Sequence, residues 1–149
     1  MSDAQDSLNG LIIPLGEQPL LLPNVAVAEL VGYRLSQAAA QGPQWFLGWT
    51  GWRDQRVPVI DPGLLLGQSA TDSQIPRMVI LNALGGKPGV NFVAMRVTGI
   101  PRSKRIIRGE LETVGTASEF VSQQVRLAGE EQVLLIPDLA AIEGVLDRV

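Results

Sequence analysis

The apolar residues of this chain fall into short runs, each bounded by glycine, proline or small polar residues, with little sustained helical periodicity. Two such runs, at 11–16 and 19–23, lie either side of Gly16-Glu17-Gln18 and predict an opening β-hairpin. Between 24 and 31, Val25, Val27, Glu29 and Val31 take alternate positions and favour a strand, while Ala26, Ala28 and Leu30 leave a helical turn open. Residues 32–43 read as a loop, with room for one helical turn at 35–40.

The stretch FLGWTGWRDQRVPVID at 46–61 is too apolar for a surface loop and carries two of the three tryptophans. The spacing of Trp45, Trp49 and Trp52 suits a helix face, but Gly48, Gly51 and the β-branched Thr50 oppose helix formation. Two strands joined by a tight turn at Arg53-Asp54 fit better, because aspartate tolerates positive φ and bonds the local backbone. On such a strand Trp45 and Trp49 share one face and Trp52 points to the other. A charged tip flanked by Trp49, Trp52 and Val57 suits contact with a partner rather than catalysis. Asp61-Pro62 then signals a helix start, with aspartate as N-cap and proline in the first position. Leu64, Leu65 and Leu66 complete a short turn that Gly67 ends.

The polar segment QSATDSQIP at 68–76 is the most linker-like part of the chain and separates two strand-rich halves. Beyond it, 77–84 and 90–97 read as strands around Gly85-Gly86-Lys87-Pro88-Gly89. Phe120, Val121, Val125 and Leu127 recur at a spacing that predicts a helix over 118–127. Residues 131–136 form a last strand, and Asp138 caps a C-terminal helix with Leu139, Ile142, Val145 and Leu146 on its apolar face. Many short strands with glycine-rich turns and brief helices predict a mainly β protein built as two small barrels. Residues 1–9 read as a disordered tail and 10–149 as one domain made of the two subdomains.

Composition narrows the chemistry. The chain has 149 residues, 46% of them hydrophobic, with neither cysteine nor histidine. Disulfides, thiolate chemistry, histidine-based triads and the commonest transition-metal ligand are thereby excluded. Neither a cofactor nor a metal is expected. A net charge of −3 argues against nucleic acid and anionic membranes as partners of the whole molecule. The acidic opening MSDAQDSLNG carries no secretory pattern, and no apolar run is long enough for membrane insertion. A soluble cytoplasmic protein is expected.

Apparent sites dissolve on inspection. Gly85-Gly86-Lys87 lacks the following Ser or Thr of a phosphate loop, and strands rather than a helix flank it. Arg102, Lys104, Arg105 and Arg108 surround Ile106 and Ile107 with no aromatic residue for base stacking, as at a charge-protected strand edge. Glu29, Asp54, Asp61, Glu110 and Asp138 are too scattered in sequence to specify a catalytic carboxylate pair, and Ser103-Lys104 are mere neighbours. No enzymatic activity is expected.

With the strand-turn-strand placed, 48–62 (GWTGWRDQRVPVIDP) resembles the motif of the CheW family of chemosensory coupling proteins, roughly G-V-x-N-L-R-G-x-x-(V/I)-P-(V/I)-(V/I)-D-L, without gaps. The opening LIIPLGEQPLLLPNVAVAELV is similar to the family's first strands, with Val27-Ala28-Glu29-Leu30 on its V-x-E-(I/V) segment. Residues 77–97 resemble the strand pair of its second half, and VLLIPDLAAI its last strand and helix. Departures are Gly51, Trp52 and Asp54 around the arginine, and Asn91 and Met95 where a Gly-x-x-x-Asp signature is usual.

The resemblance implies two five-stranded SH3-like β-barrel subdomains and a non-catalytic adaptor. It also implies binding to the regulatory domain of a CheA-type histidine kinase, to the cytoplasmic tip of a chemoreceptor, and to other CheW-like proteins. Carried over by position, Arg53 matches the coupling arginine, Glu29 and Asp61 the acidic positions, and Pro58 the proline that shapes the second strand. With Trp52, Asp54 and Val57, these residues form the expected partner-binding set, and the groove between the barrels would take a helical receptor tip. The departures fit a specialised adaptor, such as one controlling twitching motility by type IV pili, rather than the main flagellar coupler. The alternative is a generic SH3-like module that binds peptide or nucleic acid through 102–108, where a steep salt dependence would mark nucleic acid.

Overall fold

The computed structural model describes residues 7–69, 74–85, 90–107 and 109–146. Among these described residues twelve strands and two short helices follow one another: β1 Ser7–Ile13, β2 Leu20–Pro23, β3 Val27–Gly32, β4 Gln37–Ala38, β5 Phe46–Trp52, β6 Gln55–Ile60, α1 Pro62–Leu65, β7 Arg77–Asn82, β8 Phe92–Val97, β9 Arg102–Ile107, β10 Leu111–Thr113, β11 Val121–Leu127, β12 Val133–Pro137 and α2 Leu139–Val145. Two six-stranded sheets result, ordered β10-β11-β12-β2-β1-β9 and β3-β7-β8-β6-β5-β4. Each holds one parallel pair, β12 with β2 in the first and β6 with β8 in the second. The expected mainly β, two-subdomain architecture is present. Each sheet has one strand more than the five expected, and the shortest members are the edge strands β10 and β4.

Alternation explains how both sheets are held. In the first, Ile12, Leu21, Ile106, Val125, Leu127 and Leu134, with Leu111 at their margin, draw on all six strands, so the sheet wraps around its own small core. In the second, Val57, Val59, Met78, Ile80 and Ala94 of β6, β7 and β8 form the corresponding core, with Val31 of β3 and Leu47 and Trp52 of β5 at its margin. The opposite faces meet in a third layer that includes Leu20, Leu22, Ile60, Val79, Leu81, Met95 and Leu135. β7 is therefore buried on both sides, with Met78 and Ile80 turned one way and Val79 and Leu81 the other. This is why it reads as an unbroken apolar run. Helix α2 adds Ile142 and Val145 to the middle layer, and its C-cap Leu146 joins them. Each such aliphatic side chain, fully buried, contributes roughly 1.5–3 kcal/mol.

Several expectations need correction. Ser7, Leu8 and Asn9 are not tail but the start of β1, paired with Ile107, Ile106 and Arg105; residues 1–6 lie outside the described part. The segment 68–76, of which 70–73 lie outside the described residues, does not divide the two sheets. Its flanking strands β6 and β7 belong to the same sheet, while β1 and β2 join the C-terminal strands in the other. Residues 118–127 are not helical: β11 pairs with β12 through an irregularity between Val121 and Gln123. That extra residue sends Val121 to the middle layer while Val125 and Leu127 face the first sheet's own core, so the apolar positions keep to no single face. At 24–26 a single 3-10 turn precedes β3, and within 35–40 the chain forms the extended β4. Of the glycine-rich turn after β7, residues 86–89 lie outside the described part, as does Arg108.

Candidate functional site

The β5–β6 hairpin projects its turn at one end of the second sheet. Arg53 and Asp54 have φ values of 47° and 62°, the left-handed pair that a two-residue hairpin requires. The turn makes Trp52 and Gln55 opposite partners, and Thr50 then faces Val57 and Trp49 faces Pro58. Pro58 precedes the rungs that β6 shares with β8, at Val59 and Ile60, so its missing N–H breaks no ladder bond.

At this tip Trp52 is the hub. Its indole Nε1 donates to Glu29 Oε1 at 2.8 Å, and the Arg53 guanidinium carbon lies 4.5 Å from its ring centroid. Phe92 meets it edge to face, with centroids 4.6 Å apart. Beside it, Asn91 Nδ2 donates to Gln55 Oε1 at 3.0 Å, tying the hairpin to the strand that begins at Phe92. On the other face of β5, Arg56 stacks 3.9 Å above Trp49 and donates from Nη2 to Gln37 Oε1 at 2.8 Å. Stacked guanidinium groups remain exposed for a partner while the aromatic ring fixes their direction.

Four of the six expected contact residues, Arg53, Trp52, Asp54 and Glu29, thus gather at one end of the sheet, and two do not. Val57 is 1% exposed and belongs to the core inside the second sheet, because it shares the inward face with Trp52. Asp61 is likewise 1% exposed, and its Oδ1 accepts from the Leu64 N–H at 3.2 Å as the N-cap of α1. All three tryptophans are partly buried, Trp45 and Trp49 against the middle layer and Trp52 against the sheet's own core, on opposite faces as expected.

Sequence reading missed Phe92, Asn91, Gln55 and Arg56. Arg56 was within reach, since a two-residue turn fixes the register and puts Arg56 diagonally across from Trp49. Phe92 and Asn91 approach through tertiary pairing alone. Tyr33 sits nearby under Arg96, whose guanidinium carbon is 4.7 Å from its ring. Burial pushes the phenol above its ordinary value, with Arg96 opposing the shift and Asp61 adding to it.

The basic run 102–107 is β9, the edge of the first sheet, with Arg102, Ser103 and Arg105 exposed. Among the described residues no group of acidic side chains could hold a metal ion, and no helix is long and apolar enough to cross a membrane.

Residues 9–144 match the family model described as CheW-like domain. Among solved structures, the scaffolding protein TtCheW from Thermoanaerobacter tengcongensis is similar at a TM-score of 0.72 and 18% identity, over 89% of this chain and 89% of that chain. No curated protein matches the sequence. With the match covering nearly all of its length, the chain belongs to the CheW-like domain family.

Proposed function

We propose that this protein is a non-catalytic adaptor that couples chemoreceptors to a CheA-type histidine kinase in a bacterial chemosensory array. The observation that carries this reading is the Arg53-Trp52-Glu29 assembly at the hairpin tip, in a chain whose family membership spans residues 9–144. The solved relative is itself described as a scaffolding protein, which supports the same class of role. Arginine and tryptophan concentrate binding energy in small patches, and truncating such an anchor costs on the order of 2 kcal/mol or more. Here the indole is already held by Glu29 and Phe92, so little side-chain freedom remains to be lost on docking.

In this reading the tip takes the kinase regulatory domain, and the junction of the two sheets takes a helical receptor tip. Val25 and Leu84, both exposed, flank that junction: Asn82 donates to the Val25 carbonyl, and the Leu84 N–H donates to Glu143 of α2. The departures at Gly51, Trp52 and Asp54 fit a specialised adaptor, and an array controlling twitching motility is its proposed setting. Co-sedimentation of receptor cytoplasmic fragments with the kinase tests the role. An adaptor brings kinase into the receptor pellet in proportion to its own amount. Kinase that pellets equally well in its absence contradicts the proposal.

A further inference from the structure

The outer edge of β5 is left open beside the tip. Because the turn makes Trp52 and Gln55 a hydrogen-bonded pair, the antiparallel alternation makes Thr50 with Val57 the next one. Trp49 and Gly51 then have their peptide groups directed away from β6. The outward carbonyl of Trp49 accepts from the Ser36 N–H at 2.8 Å, and β4 covers β5 only at Gly48 and Trp49. At Gly51 no strand among the described residues follows. On the facing element, Tyr33 donates its N–H to Pro76 at 3.1 Å, so Tyr33 and Val31 face β7. By the same alternation the peptide of Gly32 points away from β7.

These two glycines are demanded neither by backbone nor by packing. Neither has positive φ, and a Cβ at either position would meet nothing within 4 Å. Their side-chain positions lie on the face opposite Val31, Tyr33 and Trp52, so each offers the open edge its backbone alone. A cleft of ≈ 390 Å³ lies between them, walled by Val31, Tyr33, Trp52 and Met78, with Arg34 at its side. It runs along Thr50, Gly51 and Trp52 into a shallower one of ≈ 520 Å³ that reaches Arg53 and Arg56.

We infer that this slot accepts an extended, acidic segment of a partner protein, laid as an added strand between Gly32 and Gly51. Backbone pairing to an open edge supplies the affinity, and pockets for alternate side chains supply the selectivity. Inward positions of the guest would be apolar, matched to Val31, Trp52 and Met78. Outward positions would be acidic, because Arg34, Arg53 and Arg56 line the two clefts. Two nearby carboxylates, Asp54 and the indole-bonded Glu29, are the negative charges that oppose the three arginines. This pairing does not depend on the kinase being the partner at the tip.

The test is an amide-resolved NMR titration of the full chain with a capped pentapeptide alternating valine and aspartate, beside the same peptide with lysine for aspartate. Shifts concentrated at 31–34 and 50–52 with the acidic peptide alone are expected. Gly51→Pro and Gly32→Pro remove the outward N–H that an added strand needs while costing no bond to β6 or β7, and each should weaken binding by roughly tenfold or more with an otherwise unchanged spectrum. Absence of shifts, shifts centred elsewhere, equal response to the lysine peptide, or binding indifferent to both variants would overturn the inference.

Discussion

The indole N–H of Trp52 donates to the Glu29 carboxylate across 2.8 Å, joining the end of β5 to β3, which stand at separate places in the order of their sheet. Glu29 thereby has a structural task at the tip, namely aiming the ring on which Arg53 rests. Glu29→Gln keeps an acceptor and should leave the indole N–H resonance little changed. Glu29→Ala should shift that resonance and lower stability by about 1 kcal/mol or less, since the pair is exposed. An indole signal unmoved in Glu29→Ala would show that the bond is not populated in solution.

Two glycines of the same strand should respond oppositely to alanine. Gly48 has φ of 140°, and a Cβ there would fall on the Gln37 carbonyl oxygen and within 2.9 Å of the Ala38 backbone. Gly48→Ala must therefore displace β4, at a cost on the order of 2–4 kcal/mol. Gly51→Ala meets open space and should be neutral or stabilising by roughly 0.5 kcal/mol. Urea unfolding of the two variants checks the contrast. Equal effects would mean that β4 does not approach β5 as described.

Both helices start on an aspartate cap. Asp138 Oδ1 accepts from the Ala141 N–H at 3.0 Å, and Asp61 Oδ1 from the Leu64 N–H at 3.2 Å. Asp138→Ala should cost about 1 kcal/mol and Asp138→Ser only part of that. Asp61→Ala should cost more, roughly 2 kcal/mol, because Asp61 is buried as well as a cap. Denaturant midpoints at unchanged slope give these values directly.

Tyr33 is the single tyrosine, so an absorbance titration reports it alone. Its phenol is raised in the fold by burial, while the unfolded chain titrates at about 10. The folded state then holds a proton that the unfolded state releases. Its stabilising contribution is complete below that value and disappears as pH rises through the folded value. Tyr33→Phe should flatten the alkaline loss of stability. A phenol that titrates at or below its ordinary value would contradict the burial described for it.

The hairpin tip was readable in the sequence because each of its devices is local. Arg53-Asp54 in a two-residue turn, Pro58 where the hairpin needs no N–H and Asp61-Pro62 as a cap each act within a few residues. Asp138 and α2 were readable for the same reason. What escaped reading depends on partners distant in sequence. Val57 looks like surface beside Arg56 until β7 and β8 complete the core that covers it. The division of the chain escaped too: β1 and β2 form the expected opening hairpin, but nothing local says that it then joins β9 and β12 rather than β3. In β11 the irregularity after Val121 switches the buried face between Val121 and Val125, which no local pattern announces.

The Arg53 tip is proposed as the surface that binds the partner. Calorimetric titration against the regulatory domain of a CheA-type kinase from the same genome tests it most directly. Arg53→Asn is the variant to set beside the native chain, because asparagine tolerates the positive φ at this position and keeps the turn. Binding in the micromolar range or tighter, weakened by roughly tenfold or more in Arg53→Asn at unchanged stability, is the expected result. Binding that the variant leaves intact, or no binding to any such domain, would contradict the claim.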